Sequence, residues 1–277
     1  MAEPTTVRRA SDPLDLTLSE DELDAYREHI TDFITGQVEA AGVDSAVIGL
    51  SGGIDSTLTS HLAVEALGED NVYGLVMPSE ANRDENMSDA ERVASELLGI
   101  DYDVVEINPI VDAFLDGFPA AEGDQLAVGN LRVRCRAVLN YLAANHRGAL
   151  VLGTGNKSEA LVGYFTKYGD GAVDCHPIAN LYKGQVRQLA KHVGVPDDLA
   201  EKTASAEMWV GQTDEAEMGL DYPTLDSILA LHVEGGVSAS ATAAEIGVDA
   251  AAIERVTSLY EGSKHKRAAP PGPDPLY

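Results

Sequence analysis

Seven residues, Ser51-Gly-Gly-Ile-Asp-Ser-Thr57, follow directly on a short apolar run and open a helical pattern. Glycines at such a turn let the backbone aim several N–H groups into one anion-binding concavity. The start of the helix adds its partial positive charge. A Walker-type loop would end in Gly-Lys-Ser/Thr, with the lysine on the terminal phosphates. Asp55 stands near that place instead. A carboxylate beside phosphates makes chemical sense when it holds a cation, and Mg²⁺ suits an oxygen donor shared with phosphate. The plainer alternative is a glycine-rich strand-to-helix turn with no ligand.

The distribution of cations points the same way. The chain has 277 residues, with 46 acidic against 19 basic side chains and a formal charge of −27. Ten of the basic residues (Arg132, Arg134, Arg136, Arg147, Lys157, Lys167, Lys183, Arg187, Lys191, Lys202) fall between 132 and 202, where only six acids stand. A protein this acidic repels polyanionic substrates unless cations are gathered at the site. The competing reading of that stretch is a solvated basic face. The overall charge excludes a nucleic-acid footprint and suits solubility in a very salty cytoplasm.

Cys135 and Cys175 are the only cysteines and form no CxxC pair, so neither a zinc ribbon nor a dithiol redox site is indicated. Neither has a general base beside it in sequence, so neither is expected to act as a nucleophile. No stretch approaches the 18 or so apolar residues of a membrane span. Arg8-Arg9 lacks the apolar segment of a twin-arginine signal. A reduced, cytoplasmic protein without nucleic-acid or membrane partners is expected.

The elements that must position the loop can be read from periodicity. Ser19 to Glu22 is a capping box, opening a helix with Leu23, Tyr26, Ile30, Phe33 and Ile34 at helical spacing and Gly42 past its end. Ala46 to Leu50 reads as a buried parallel strand. Strands at 72–77, 102–107 and 149–152 then alternate with helices at 83–98, 131–145 and from about Lys157. That alternation predicts an α/β fold with a doubly wound parallel sheet of Rossmann type. Ligands of such sheets bind at the carboxyl ends of the strands, where Ser51-Gly52-Gly53 and Gly153-Thr154-Gly155 fall. Beyond Ala160 the alternation stops. A helix at 183–193 and short helices from Pro223 to Tyr260 predict a helical C-terminal extension within a single domain over 1–277. Residues 1–18 and the proline-rich 268–277 read as tails.

The loop resembles that of the N-type ATP pyrophosphatases, which cleave ATP to AMP and pyrophosphate. Further blocks resemble the NAD synthetases, and the ammonia-dependent ones in particular: Leu152-Gly-Thr-Gly-Asn-Lys-Ser-Glu159, Gly163-Tyr-Phe-Thr-Lys-Tyr-Gly-Asp-Gly171, Pro177-Ile-Ala-Asn-Leu-Tyr-Lys183, Lys202-Thr-Ala-Ser-Ala-Glu207, Gly211-Gln-Thr-Asp-Glu215 and His265-Lys-Arg267. The resemblance implies the adenine nucleotide α-hydrolase-like fold. It also implies amidation of deamido-NAD with ammonia to NAD, AMP and pyrophosphate through an adenylate.

On the matching positions it implies ATP at Gly49, Leu50, Ser51, Gly52, Gly53, Ile54, Asp55, Ser56, Thr154, Lys183 and Ser205. Mg²⁺ would lie on Asp55 and Glu159, and deamido-NAD on Arg134, Lys167, Asp174, His265 and Lys266. Asp55, Glu159 and Lys183 are the implied catalytic set, and a homodimer with the dinucleotide at the subunit interface is the implied assembly. Ser205 stands where many relatives have threonine and keeps the hydroxyl.

Read from the residues alone, Glu159 could equally be a surface carboxylate and 265–267 a solvated basic patch. Trp209 is expected in the core rather than as a stacking platform. Residues 240–260 can pass for a helix-turn-helix, but Glu245, Asp249 and Glu254 would then face phosphates, so DNA binding is rejected. A tRNA-thiolating pyrophosphatase and a nucleotide sensor without turnover are the competing functions. The first lacks a basic RNA-binding face and a cysteine pair, and the second is opposed by intact Asp55 and Glu159.

Overall fold

The computed structural model describes residues 14–78, 85–205, 208–209 and 211–275, with the side chains of 85–87 outside that description. The pair Arg8-Arg9, the proposed helix start at Arg83, Glu207 of the 202–207 block and the final two residues lie outside the described residues. Among the described residues, four parallel strands, β1 (Ala46–Leu50), β2 (Val72–Val76), β3 (Asp101–Val104) and β4 (Leu150–Leu152), lie in the order β3-β2-β1-β4. The chain builds outward from β1 through β2 to β3, then returns to place β4 on the other side of β1. The carboxyl ends of β1 and β4 therefore flank the point where the winding reverses, which is where such sheets open a crevice. β1 and β2 end level, with Leu50 opposite Val76, whereas β4 ends at Leu152 opposite Ile48, before the end of β1.

Both faces are covered, as the doubly wound reading requires. Ala46, Ile48 and Leu50 pack with the helices Glu20–Ala41, Ile54–Leu67 and Lys183–His192. Val47, Tyr73 and Val151 point the other way, onto Asn108–Gly117 and Gln125–Arg147. This is the period-two alternation of a strand buried on both sides. The first helix begins where expected: Ser19 and Glu22 close the capping box, and Gly42 ends the helix in the left-handed conformation.

A third core gathers Tyr222, Leu225, Ile228, Leu229, Ile253 and Val256 from the C-terminal helices. The segment that could pass for a helix-turn-helix is part of it, and Arg255 donates to the carbonyls of Glu217 and Met218. Of the residues read as an N-terminal tail, Leu16 and Leu18 are tied to the fold: Leu18 N–H donates to Gln188 Oε1 at 2.8 Å and the Gln188 amide donates to Leu16 O. The predicted strand 102–107 ends at Val104, and the helix predicted from 131 begins at Gln125, capped by Asp124.

The acidic residues leave a physical signature. The first helix carries Glu20, Asp21 and Glu22 in its first turn and no basic residue in its last. Self-repulsion at −27 reaches about 30 Å at 0.01 M salt but only about 3 Å at 1 M. Thermal unfolding should therefore shift upward by about 10 °C between low-salt buffer and molar KCl, roughly 3–4 kcal/mol for a domain of this size. A midpoint flat across that range removes electrostatic repulsion as a determinant of stability.

Candidate active site

Three helices start at the carboxyl edge of the sheet, and each brings one charged side chain to a common point. Asp55 is the second residue of Ile54–Leu67, Glu159 the third of Lys157–Val162, and Lys183 the first of Lys183–His192. Lys183 Nζ donates to Asp55 Oδ2 and, at 3.1 Å, to Glu159 Oε1. A cation at the first position of a helix opposes the helix dipole, and Lys183 is also only 2% exposed. Such a placement breaks two local rules at once, a mark of a site rather than of packing.

The fold fixes the three groups individually. Asn156 caps the helix of Glu159 by accepting its N–H at 3.0 Å, and its amide donates to Asp55 Oδ1 at 2.8 Å. Ser158 Oγ accepts the Lys183 N–H at 2.9 Å and donates to Asp226, which also accepts the Gly184 N–H at 2.9 Å. The helical extension thus holds the start of the Lys183 helix through Asp226. Tyr222 OH lies 2.8 Å from Asp214 Oδ2 and 3.2 Å from Glu159 Oε1. Burial would lower the Lys183 pKa, but the charges of Asp55 and Glu159 outweigh it and keep the ammonium well above its usual range. Burial, aided by Asp55 and Asp214 and opposed by Lys183, pushes Glu159 up to about 7.

The loop above this cluster turns tightly into the start of the Ile54–Leu67 helix. Gly52 takes φ 74°, a left-handed turn that favours glycine. Ser56 Oγ lies under the loop, in contact with Ser51 Oγ at 3.1 Å and Gly53 O at 3.0 Å. Gly53 is the N-cap of that helix and supplies no side-chain acceptor to the first-turn amides. Across the crevice, a Cβ on Gly153 would sit 2.5 Å from His176 Nδ1 and 2.6 Å from Val173, so the second loop needs glycine to pass.

Loop and cluster share one cleft of about 530 Å³. Of the ATP residues implied by sequence, Gly49, Leu50, Ser51, Gly53, Ile54, Asp55, Thr154, Lys183 and Ser205 line it. Gly52 and Ser56 shape the loop from beneath. Lys266 lines the cleft and donates to Gly163 O and Phe165 O at 2.7 and 2.8 Å. With Arg267, which donates to Ala160 O and Leu161 O, it clamps the turn after the Glu159 helix, so the basic triplet is more than a solvated patch.

The remaining dinucleotide candidates sit elsewhere. Arg134 and His265 are exposed, and Lys167, partly buried beside them, donates from Nζ to His265 O at 2.6 Å. Arg134 reaches Lys167 O at 3.2 Å. Asp174 is exposed and accepts from Tyr141 OH at 3.0 Å and Val151 N–H at 2.8 Å, bracing β4.

Trp209 departs from expectation: it is partly exposed and lines the cleft rather than the core. Met208, beside it, packs on Gly129. Cys135 and Cys175 are buried free thiols, Cys175 pushed up to about 11 by burial with Asp174 adding, so neither serves as a nucleophile at neutral pH. The sequence does not mark Asn156, Asp214, Tyr222 and Asp226 individually as site residues. Asn156 carried a signal, an Asn followed three residues later by Glu at a helix start.

Comparison with known proteins gives a consistent result. The family model described as NAD synthase matches residues 26–270. The chain is 57% identical over 273 residues to the NH(3)-dependent NAD(+) synthetase of Halobacterium salinarum, covering 99% of this chain and 100% of that one. Among solved structures it is similar to an NMN synthetase from Francisella tularensis (TM-score 0.81, 34% identity, 93% of this chain and 100% of that one). It is also similar to an NH3-dependent NAD synthetase from Campylobacter jejuni (TM-score 0.78, 29% identity, with the same coverage).

Proposed function

This chain belongs to the NAD synthase family, and on that premise we propose how its cleft joins ammonia to deamido-NAD at the expense of ATP. It is a ligase of the last step of NAD biosynthesis, built on the adenine nucleotide α-hydrolase-like fold. The observation that carries the residue assignments is the convergence of Asp55 and Glu159 on Lys183 beneath an open phosphate loop.

The Ser51–Ser56 loop and the amides at the start of its helix receive the ATP phosphates, with Thr154 and Ser205 on the opposite wall. Two carboxylates meeting at one point form a hard, all-oxygen donor pair, to which phosphate oxygens and water add in the manner Mg²⁺ prefers. Asp55 and Glu159 would therefore hold Mg²⁺, which when bound neutralises phosphate charge. Lys183 then turns its ammonium toward the departing pyrophosphate. The nicotinate carboxylate of deamido-NAD attacks the α-phosphorus, pyrophosphate leaves, and ammonia displaces AMP from the resulting acyl-adenylate. Catalysis in this scheme is positioning and electrostatic stabilisation of developing charge.

The dinucleotide extends from the cleft over Lys266 to Lys167, Arg134 and His265, with Asp174 beside β4. Arg134, Val138 and Leu142 lie four residues apart on one stripe of a long helix, and the two apolar members are 67% and 64% exposed. An exposed apolar stripe beside substrate cations supports a homodimer that closes the dinucleotide site between subunits. Leu142→Glu should give monomers whose KM for deamido-NAD rises at least tenfold while that for ATP stays within about twofold. Light scattering and two-substrate kinetics read both, and a monomer with unchanged deamido-NAD affinity would place the site within one subunit. The cytoplasm, where these soluble metabolites are found, is the proposed location.

The direct experiment incubates the chain with deamido-NAD, ATP, Mg²⁺ and ammonium chloride and follows NAD, AMP and pyrophosphate in equal amounts. Nicotinate mononucleotide serves as the comparison substrate, because one structural relative is an NMN synthetase. A preference for the mononucleotide would reassign the substrate and keep the chemistry. Release of ADP and phosphate would overturn the mechanism.

A further inference from the structure

The cleft is poor in cations for a site that takes a triphosphate. Among the described residues more carboxylates than cations line it, and the cations are Arg136, Lys183, Lys202 and Lys266. Three of these are engaged inside the site. Lys183 donates to Asp55 and Glu159, Lys266 to the carbonyls of Gly163 and Phe165, and Arg136 to Met77 O at 3.0 Å. In a chain of −27, a polyanion entering such a space gains from every cation that can be turned onto it.

Lys202 is held differently. Its Nζ donates at 2.7 Å to Asp89, on the helix Glu85–Arg92, and Asp89 is not part of the cleft lining. The two side chains are 25% and 26% exposed, so water competes for the pair and its net strength is small. Lysine is also a point charge on a flexible stem, able to exchange one oxygen for another by bond rotation alone. Ser205, one of the ATP residues implied by sequence, follows three residues later and lines the same cleft. A second ion pair, Arg92 with Asp198, ties the same helix to the same segment outside the cleft.

Resting on the ATP-dependent ligase reading, we infer that Lys202 is a second cation for the triphosphate of ATP, held by Asp89 beforehand and turned onto a phosphate oxygen when nucleotide enters. A lysine–phosphate contact is charge-assisted on both sides and outweighs a solvent-shared lysine–carboxylate pair. Asp89 is then a competitor of the nucleotide, and part of the ATP affinity goes into freeing Lys202. The Arg92–Asp198 pair keeps the segment attached to the helix throughout the exchange.

The two partners should act with opposite sign, and that makes the test. In the full-length chain, binding of Mg²⁺–ATP is measured by calorimetry and the KM values by initial rates. Lys202→Met should weaken ATP binding about 10-fold or more, the loss of one charge-assisted hydrogen bond, with the KM for deamido-NAD within about twofold. Lys202→Arg keeps the charge and should recover most of that affinity. Asp89→Asn frees Lys202 and should tighten ATP binding about two- to fivefold. Asp198→Asn, which breaks the other link between helix and segment, should leave ATP binding unchanged.

ATP binding indifferent to Lys202→Met, or weakened alike by Lys202→Met, Asp89→Asn and Asp198→Asn, overturns the inference and leaves Lys202–Asp89 a structural pair. If Lys202→Met does not fold, Asp89→Asn decides, since unchanged or weaker ATP binding overturns the inference as well. Wild-type protein that binds Mg²⁺–ATP yet makes no NAD would instead strike the ligase reading, with the binding comparison still deciding the role of Lys202.

Discussion

Asp55→Asn is expected to lower turnover by about a thousandfold or more while the protein stays folded. The substitution is isosteric, and its side-chain oxygen can still accept from Asn156 Nδ2, so the loop and the start of the Ile54–Leu67 helix keep their geometry. What disappears is one of the two anionic oxygens that meet at Lys183. A metal ion acting on a phosphoryl group supplies several kcal/mol of charge stabilisation, and each 1.36 kcal/mol is a factor of ten in rate. The effect should appear in kcat and survive saturating Mg²⁺, with circular dichroism unchanged. Near-wild-type turnover at saturating Mg²⁺ would remove Asp55 from the chemistry.

Lys183→Met is expected to be the second large effect, and it has a stability signature as well as a kinetic one. Methionine fills much of the same space, but Asp55 and Glu159 then face each other without a counter-charge. Removing one partner from a buried ion pair costs about 3–5 kcal/mol. Both carboxylates keep some solvent contact, at 18% and 16% exposure, so the lower end of that range applies. In chelator the variant should melt roughly 6–12 °C below wild type, at about 2–4 °C per kcal/mol. Added Mg²⁺ should stabilise the variant more than the wild type, because the two carboxylates are left free to bind it. Turnover should fall about a hundredfold to a thousandfold, the usual loss when one donor to a developing oxyanion is deleted. Equal Mg²⁺ stabilisation of the two proteins would separate the carboxylate pair from metal binding.

Much of the sheet is legible in the sequence. The strands read from apolar runs match β1, β2 and β4 to within a residue, because strands buried on both faces leave continuous hydrophobic runs. β3 is an exposed edge strand, and its predicted end overran because Val105 and Ile107 continue the apolar pattern outside it. The helix Asn108–Gly117 went unread, since it buries only Val111 and leaves Phe114 exposed, so it shows no core stripe. The phosphate loop was readable because glycine, carboxylate and hydroxyl stand next to one another in the chain.

The cluster around that loop was harder to read. Glu159 and Lys183 are 24 residues apart, and what brings them together is Asp226, a further 43 residues on, through Ser158 and Gly184. No local pattern marks such a brace. Asp214 and Tyr222 were hidden for the same reason: each looks like an ordinary helix-start residue until the third core folds against the sheet. Arg134, Lys167 and His265 acquire meaning only from family resemblance and from the apolar stripe beside Arg134, since a single chain leaves Arg134 and His265 exposed and Lys167 bonded only to a backbone carbonyl.

Which phosphorus the substrate carboxylate attacks is the central chemical question, and isotope transfer measures it directly. Deamido-NAD labelled with ¹⁸O in its nicotinate carboxylate is converted with ATP, Mg²⁺ and ammonium, and the nucleotide products are analysed by mass spectrometry. Attack on the α-phosphorus predicts one ¹⁸O atom in AMP for each NAD formed, with pyrophosphate unlabelled. Label in inorganic phosphate, with ADP as the nucleotide product, would contradict the cleft chemistry described here.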